Sequence, residues 1–168
     1  MLNQLENLTA RIGGCSELVD FCLQSRKQLL VAYYQMAGLK PNKESQIALD
    51  ENAVDTFCQN LVDYLSTGHF TAYERFIKEL ENTPQLTQAS LIYPSLRTNT
   101  EQIMEIYDSR LESTFDALDA ADFQQTLSLL GEALAERFVL EDRFINLALE
   151  ATTPDAAAND VSALAPSA

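Results

Sequence analysis

The chain has 168 residues, 46% hydrophobic and 21% charged, with only 5 Gly and 5 Pro; this excludes a disordered or fibrous chain and suits one globular domain. Its formal net charge of -14 is unevenly spread: residues 1–43 carry five basic and three acidic side chains, and everything after them is strongly acidic. A surface of that sign repels nucleic-acid phosphates and anionic lipid, so no direct nucleic-acid or membrane binding is expected.

Alternating steps of three and four link Leu5, Leu8, Ile12, Cys15, Val19, Cys22, Arg26, Leu29, Tyr33 and Met36. That seam predicts one long first helix laid against neighbours. Gly38 and Pro41 close it, and Gly13-Gly14 marks a place for a bend or a close helix approach. Arg26, the one charged member of the seam, either snorkels outward or pairs with a carboxylate from an adjacent helix. A second helix starts with Asp50 as N-cap, repeats apolar pairs at Ala53/Val54, Phe57/Cys58, Leu61/Val62 and Leu65, and stops at Gly68. A third begins near His69 and turns Phe70, Tyr73, Phe76, Ile77 and Leu80 inward, with Glu74 and Lys78 spaced as an i,i+4 pair.

Pro84 ends that segment and opens a short helical turn reaching Tyr93-Pro94. The capping box Thr98-x-x-Glu101 predicts the start of a fourth main helix, running to about Ala120 with Ile103, Tyr107, Leu111, Phe115 and Leu118 on one side. Asp122 caps a last helix that carries Phe123, Leu127, Leu130, Leu134, Phe138, Ile145 and Ala148 inward. Glu132, Glu136 and Glu141 read as its solvated face, with an Arg137–Glu141 pair. No window alternates as a strand does. The expected fold is all-α: an antiparallel helical bundle of four to five long helices plus short connecting helices, over residues 1–150. Residues 151–168 turn to Ala, Asp, Asn, Ser, Thr and Pro and read as a disordered tail.

Met1–Ala10 lacks the pattern of a secretion signal, and the apolar run Leu29–Tyr34 is too short to span a bilayer, so a cytoplasmic protein without an anchor is expected. Cys15, Cys22 and Cys58 are odd in number and lack Cys-x-x-Cys spacing, which encodes neither a disulfide framework nor a zinc site. They read as small core residues.

From Glu44 to Glu74 there are six carboxylates and no Lys or Arg, so this stretch projects a negative field toward a basic partner. It also holds the single histidine, His69, which cannot supply the two Glu-x-x-His pairs of a bundle di-metal site. No metal or cofactor is expected. A phosphoacceptor His69 in a histidine phosphotransfer domain is the alternative function, but the nearest lysine, Lys78, lies more than two turns away. No Gly-x-Ser-x-Gly elbow exists and each cysteine falls on an apolar stripe, so no enzyme is expected. Tyr64 and Phe70 flank an acidic helix end, as interface aromatics do inside a polar rim.

Asp63-Tyr-Leu-Ser-x-Gly-His-Phe-x-x-Tyr-Glu-Arg75 resembles the Rsd/AlgQ family of bacterial regulators. Met1-Leu-Asn-Gln-Leu5, Leu29-Leu-Val-Ala-Tyr-Tyr34, Lys40-Pro-x-Lys-Glu-Ser45, Gln102-Ile-Met104 and Gly131-Glu-Ala-Leu-x-x-Arg-Phe-Val-Leu-Glu-Asp142 are similar to it as well, covering about residues 1–150. Gly13 to Cys15 and the Ala/Asp-rich tail depart from the family pattern. The resemblance implies an anti-sigma factor that binds the C-terminal, promoter-reading domain of the housekeeping sigma factor and keeps it from core RNA polymerase. By motif position it places the contacts on Asp63, Ser66 and Phe70, with Tyr73 and Glu74 close by. A monomer is the default expectation for its oligomeric state.

Overall fold

The computed structural model describes residues 1–12, 16–38, 51–67, 72–112 and 120–152. Regular structure among these residues is all helical, so the all-α class holds. The helices are α1 (Leu2–Ile12), α2 (Glu17–Ala37), α3 (Glu51–Thr67), α4 (Tyr73–Glu79), α5 (Gln85–Ile106) and α6 (Ala120–Thr152), with a π-helical segment at Tyr107–Glu112. α5 packs along α6 and α2 along α3; α1 lies on α2, and the short α4 touches both α5 and α6.

The apolar stripes meet in one core. Phe57, Leu61, Leu80, Ile103, Phe123, Leu130, Leu134 and Phe144 are completely buried. A buried Phe or Leu contributes roughly 1.5–3 kcal/mol, so this set supplies much of the driving force. Rings meet edge-on where α4 crosses α6, with Phe76 and Phe144 centroids 5.7 Å apart. Tyr33 of α2 donates its hydroxyl to the Leu127 carbonyl of α6 at 2.8 Å. The ring end passes over Gly131, where a Cβ would stand 2.5 Å from that hydroxyl.

Three boundaries differ from the sequence expectation. The single long first helix is two: Ser16 has extended backbone, φ -158 and ψ 137, and α2 starts after it. A glycine pair costs a continuous helix about 1 kcal/mol per residue, and α1 lies against α2. The fourth helix does not start at Thr98. α5 runs from Gln85 straight through Pro94, and Thr98 sits within it. Pro94 deprives the Ser90 carbonyl of its helical donor, but both residues are exposed and water can serve that oxygen. Finally, α5 gives way at Tyr107 to the π-helical segment, and α6 opens at Ala120 with Asp122 in its first turn.

The inward set of α6 follows its register: Phe123, Leu127, Leu130, Leu134, Phe138, Ile145 and Ala148 are all buried. The expectations for Asp50, Gly68, His69, Phe70 and the tail from residue 153 onward lie outside the described residues.

Candidate functional site

The last turns of α3 and the first turn of α4 carry four of the five residues singled out for partner binding. Asp63 and Ser66 are exposed at the end of α3, and Glu74 is exposed at the start of α4. Phe70 lies outside the described residues. Tyr73 is 3% exposed and points into the core, so it is not placed to touch a partner directly.

Asp55 and Asp63 also edge an open groove between α3 and the π-helical segment, where Cys58, Gln59, Val62 and Tyr107 complete the lining. Val62 is 37% exposed there. The surface is thus an acidic rim around a partly apolar strip, a composition common to protein interfaces.

Beneath the rim lies a buried polar lattice. Its centre is Glu141 on α6, which the sequence reading assigned to a solvated face and which is only 6% exposed. Its carboxylate accepts the Tyr64 hydroxyl of α3 at Oε2 and the Tyr73 hydroxyl of α4 at Oε1. Arg26 of α2 donates to Oε2 at 3.0 Å, and its other terminal nitrogen reaches Asp142 Oδ1 at 2.6 Å. Arg26 therefore pairs across helices rather than snorkelling, and its guanidinium also stacks over the Phe138 ring at 4.8 Å. Arg137, fully buried, stands with Nε 2.9 Å from Glu141 Oε1 as an ion pair, although that N–H is not aimed along a hydrogen bond. Its terminal nitrogens reach Tyr73 Oη and Thr100 Oγ1, each at 2.9 Å. Asn99 adds a further tie by donating to the Ala133 carbonyl at 2.9 Å.

The electrostatics of this lattice favour the ordinary charge states of Glu141, the two arginines and the two tyrosines. Burial pushes the Glu141 carboxyl up, but Arg137, Arg26 and the two tyrosine hydroxyls together hold it below the usual carboxylate range. Burial disfavours the charge on Arg26, and Glu141 and Asp142 more than restore it. Burial and the adjacent Glu141 charge raise both Tyr64 and Tyr73 well above the usual phenol range. Glu141 is thus ionised, the tyrosines protonated and the arginines charged at neutral pH. Such an arrangement fixes geometry rather than moving protons. Next to it, burial pushes the Cys22 thiol up to about 12, which keeps it from acting as a thiolate nucleophile.

The sequence reading missed Glu141 because it judged the residue by type. Its register was informative: Leu134, Arg137, Glu141 and Ile145 are linked by steps of three and four along the buried side of α6. Among the described residues, no three His, Cys, Asp or Glu side chains gather where a metal ion could be held. No described helix is long and apolar enough to cross a membrane.

The fold and the site are those of an acidic, all-helical protein with its buried charges fixed in place, and comparison with known proteins puts it among transcription regulators. The profile of the Rsd/AlgQ family, described as regulator of RNA polymerase sigma(70) subunit, matches residues 1–149. The chain belongs to that family. It is similar to the "Regulator of sigma D" of an Enterobacter species, 58% identical over 150 residues that span 89% of this chain and 91% of the relative. Proteins with the same description from Shigella dysenteriae and Salmonella arizonae are each 56% identical over 151 residues, 90% of this chain, and are covered to 96% and 93% of their length.

Proposed function

We propose that this chain is an anti-sigma factor: it binds the C-terminal, promoter-reading domain of the housekeeping sigma subunit and competes with core RNA polymerase for it. The observation that carries the reading is the pair of exposed acids at the α3 groove, Asp55 and Asp63, with Glu74 exposed at the start of α4, on a chain whose family regulates sigma(70). A domain that approaches DNA phosphates presents cations, and an acidic surface can occupy that face by charge complementarity. Asp63, Ser66 and Glu74 supply the polar contacts and Phe70 an apolar one. Tyr73 contributes from within. The mechanism is occlusion, with no bond made or broken, no cofactor, and no direct contact with nucleic acid or membrane.

The test is competition. Purified protein is added to a sigma–core RNA polymerase complex, and the distribution of sigma is followed by size-exclusion chromatography. Transfer of sigma from core to a one-to-one complex with this protein is the expected result. Sigma remaining on core at a large excess of the protein would overturn the proposal.

A further inference from the structure

Building on that proposed function, we infer that Glu141 is a positioning residue for the sigma-binding rim: through the hydroxyls of Tyr64 and Tyr73 it sets the end of α3 and the start of α4 relative to each other. Asp63 immediately precedes Tyr64, and Glu74 immediately follows Tyr73. Each exposed acid is therefore one residue from a buried tyrosine. Successive helical side chains point about 100° apart, so locking one fixes the direction of the next. Both tyrosines end on the same carboxylate, one on each oxygen. The carboxylate is held in turn by Arg137 on its own helix and by Arg26 from α2.

The need for such a clamp follows from the dimensions of α4. With 7 residues, Tyr73–Glu79, it is too short to be stable alone; its apolar anchors choose the side that faces inward, and the tyrosine hydroxyl adds a directional tie to that packing. Hydrogen bonds are directional, and a carboxylate bound on both oxygens fixes two donors at once. A rim held in place before binding avoids the ordering cost that a loose one incurs when the partner arrives. The lattice is far from the solvent-exposed contacts in character but adjacent to them in chain, which is how a residue that never touches the partner governs its affinity.

The test uses Tyr64→Phe with Tyr73→Phe, which keeps both rings and removes only the hydroxyls. Affinity for the housekeeping sigma C-terminal domain is measured by calorimetry, amide exchange is followed over residues 60–67 and 72–76, and melting temperature is recorded. Ile103→Val, a fully buried change on α5 outside the lattice, serves as a softened control. The double variant is expected to remain folded, exchange faster over residues 72–76, and bind about tenfold or more weakly, while the control binds as the unaltered protein does. A folded double variant with undiminished affinity would overturn the inference, as would an equal loss in the control. If the double variant does not fold, the single Tyr64→Phe variant decides by the same criteria. Absence of sigma binding by the unaltered protein would instead overturn the proposed function itself.

Discussion

Replacing Glu141 with Gln keeps the shape of the side chain and removes its charge, which isolates what the buried carboxylate does for the fold. Arg26 retains Asp142 at 2.6 Å after the change, but Arg137 is left with the neutral Tyr73, Thr100 and Asn99. Stripping a buried cation of its anion costs about 3–5 kcal/mol, mostly as the penalty of an uncompensated charge. At about 2–4 °C per kcal/mol for a chain of this size, the melting temperature should fall by roughly 6–20 °C. Replacing the group together, as Arg26→Met, Arg137→Met, Glu141→Leu, Tyr64→Phe and Tyr73→Phe, should recover most of that loss, because neither a buried charge nor a buried tyrosine hydroxyl is then left without its partner. The assay is urea unfolding followed by far-UV circular dichroism, paired with a calorimetric scan. A cost below about 1 kcal/mol for Glu141→Gln at neutral pH, the range of an exposed pair, would refute the reasoning.

The same residue makes a pH prediction with a definite sign. Folding lowers the Glu141 carboxyl, so its stabilisation is present above the ordinary carboxylate range and is lost as pH falls through the lower, folded value. The unaltered protein should therefore lose stability on acidification more steeply than Glu141→Gln, and equal acid slopes would contradict the lattice. Pro94→Ala restores a donor to the exposed Ser90 carbonyl inside α5. An interior proline costs about 3 kcal/mol, offset by roughly 0.4–1 kcal/mol of chain stiffness, so the variant should gain about 2 kcal/mol, read as a raised urea midpoint. Gly131→Ala places a Cβ 2.5 Å from the Tyr33 hydroxyl and should displace it from the Leu127 carbonyl. The lost hydrogen bond and overpacking outweigh the roughly 1 kcal/mol gained in helix propensity, for a net cost of about 1–2 kcal/mol that Tyr33→Phe should relieve in the double variant.

What could be read from the sequence was whatever burial writes periodically. The stripe from Phe123 to Ala148 identified the buried side of α6, and Tyr73, Phe76 and Leu80 did the same around α4. Exposure of Asp63 and Glu74 agrees with the negative field expected of the cation-free stretch from Glu44 to Glu74. Two boundaries were hidden because local rules compete: a heptad seam spanned Gly13-Gly14, and a capping box at Thr98 lay within a helix that tolerates Pro94. The lattice was hidden for a different reason. Arg26, Glu141, Tyr64 and Tyr73 come from α2, α6, α3 and α4, and their meeting depends on how separate helices are set against one another, which no local pattern encodes. Arg26 was the clue, since a cation on an apolar seam requires an anion, and the matching register of Arg137 and Glu141 on α6 could have supplied it.

Titration calorimetry of the intact protein against the isolated C-terminal domain of the housekeeping sigma subunit, at low and at high salt, is the decisive measurement of sigma binding. A one-to-one complex is expected, with an affinity that falls as salt rises and falls again in Asp63→Lys, because an acidic rim meets a cationic face. No binding heat at low salt, confirmed by the absence of a complex on size-exclusion chromatography, would contradict it.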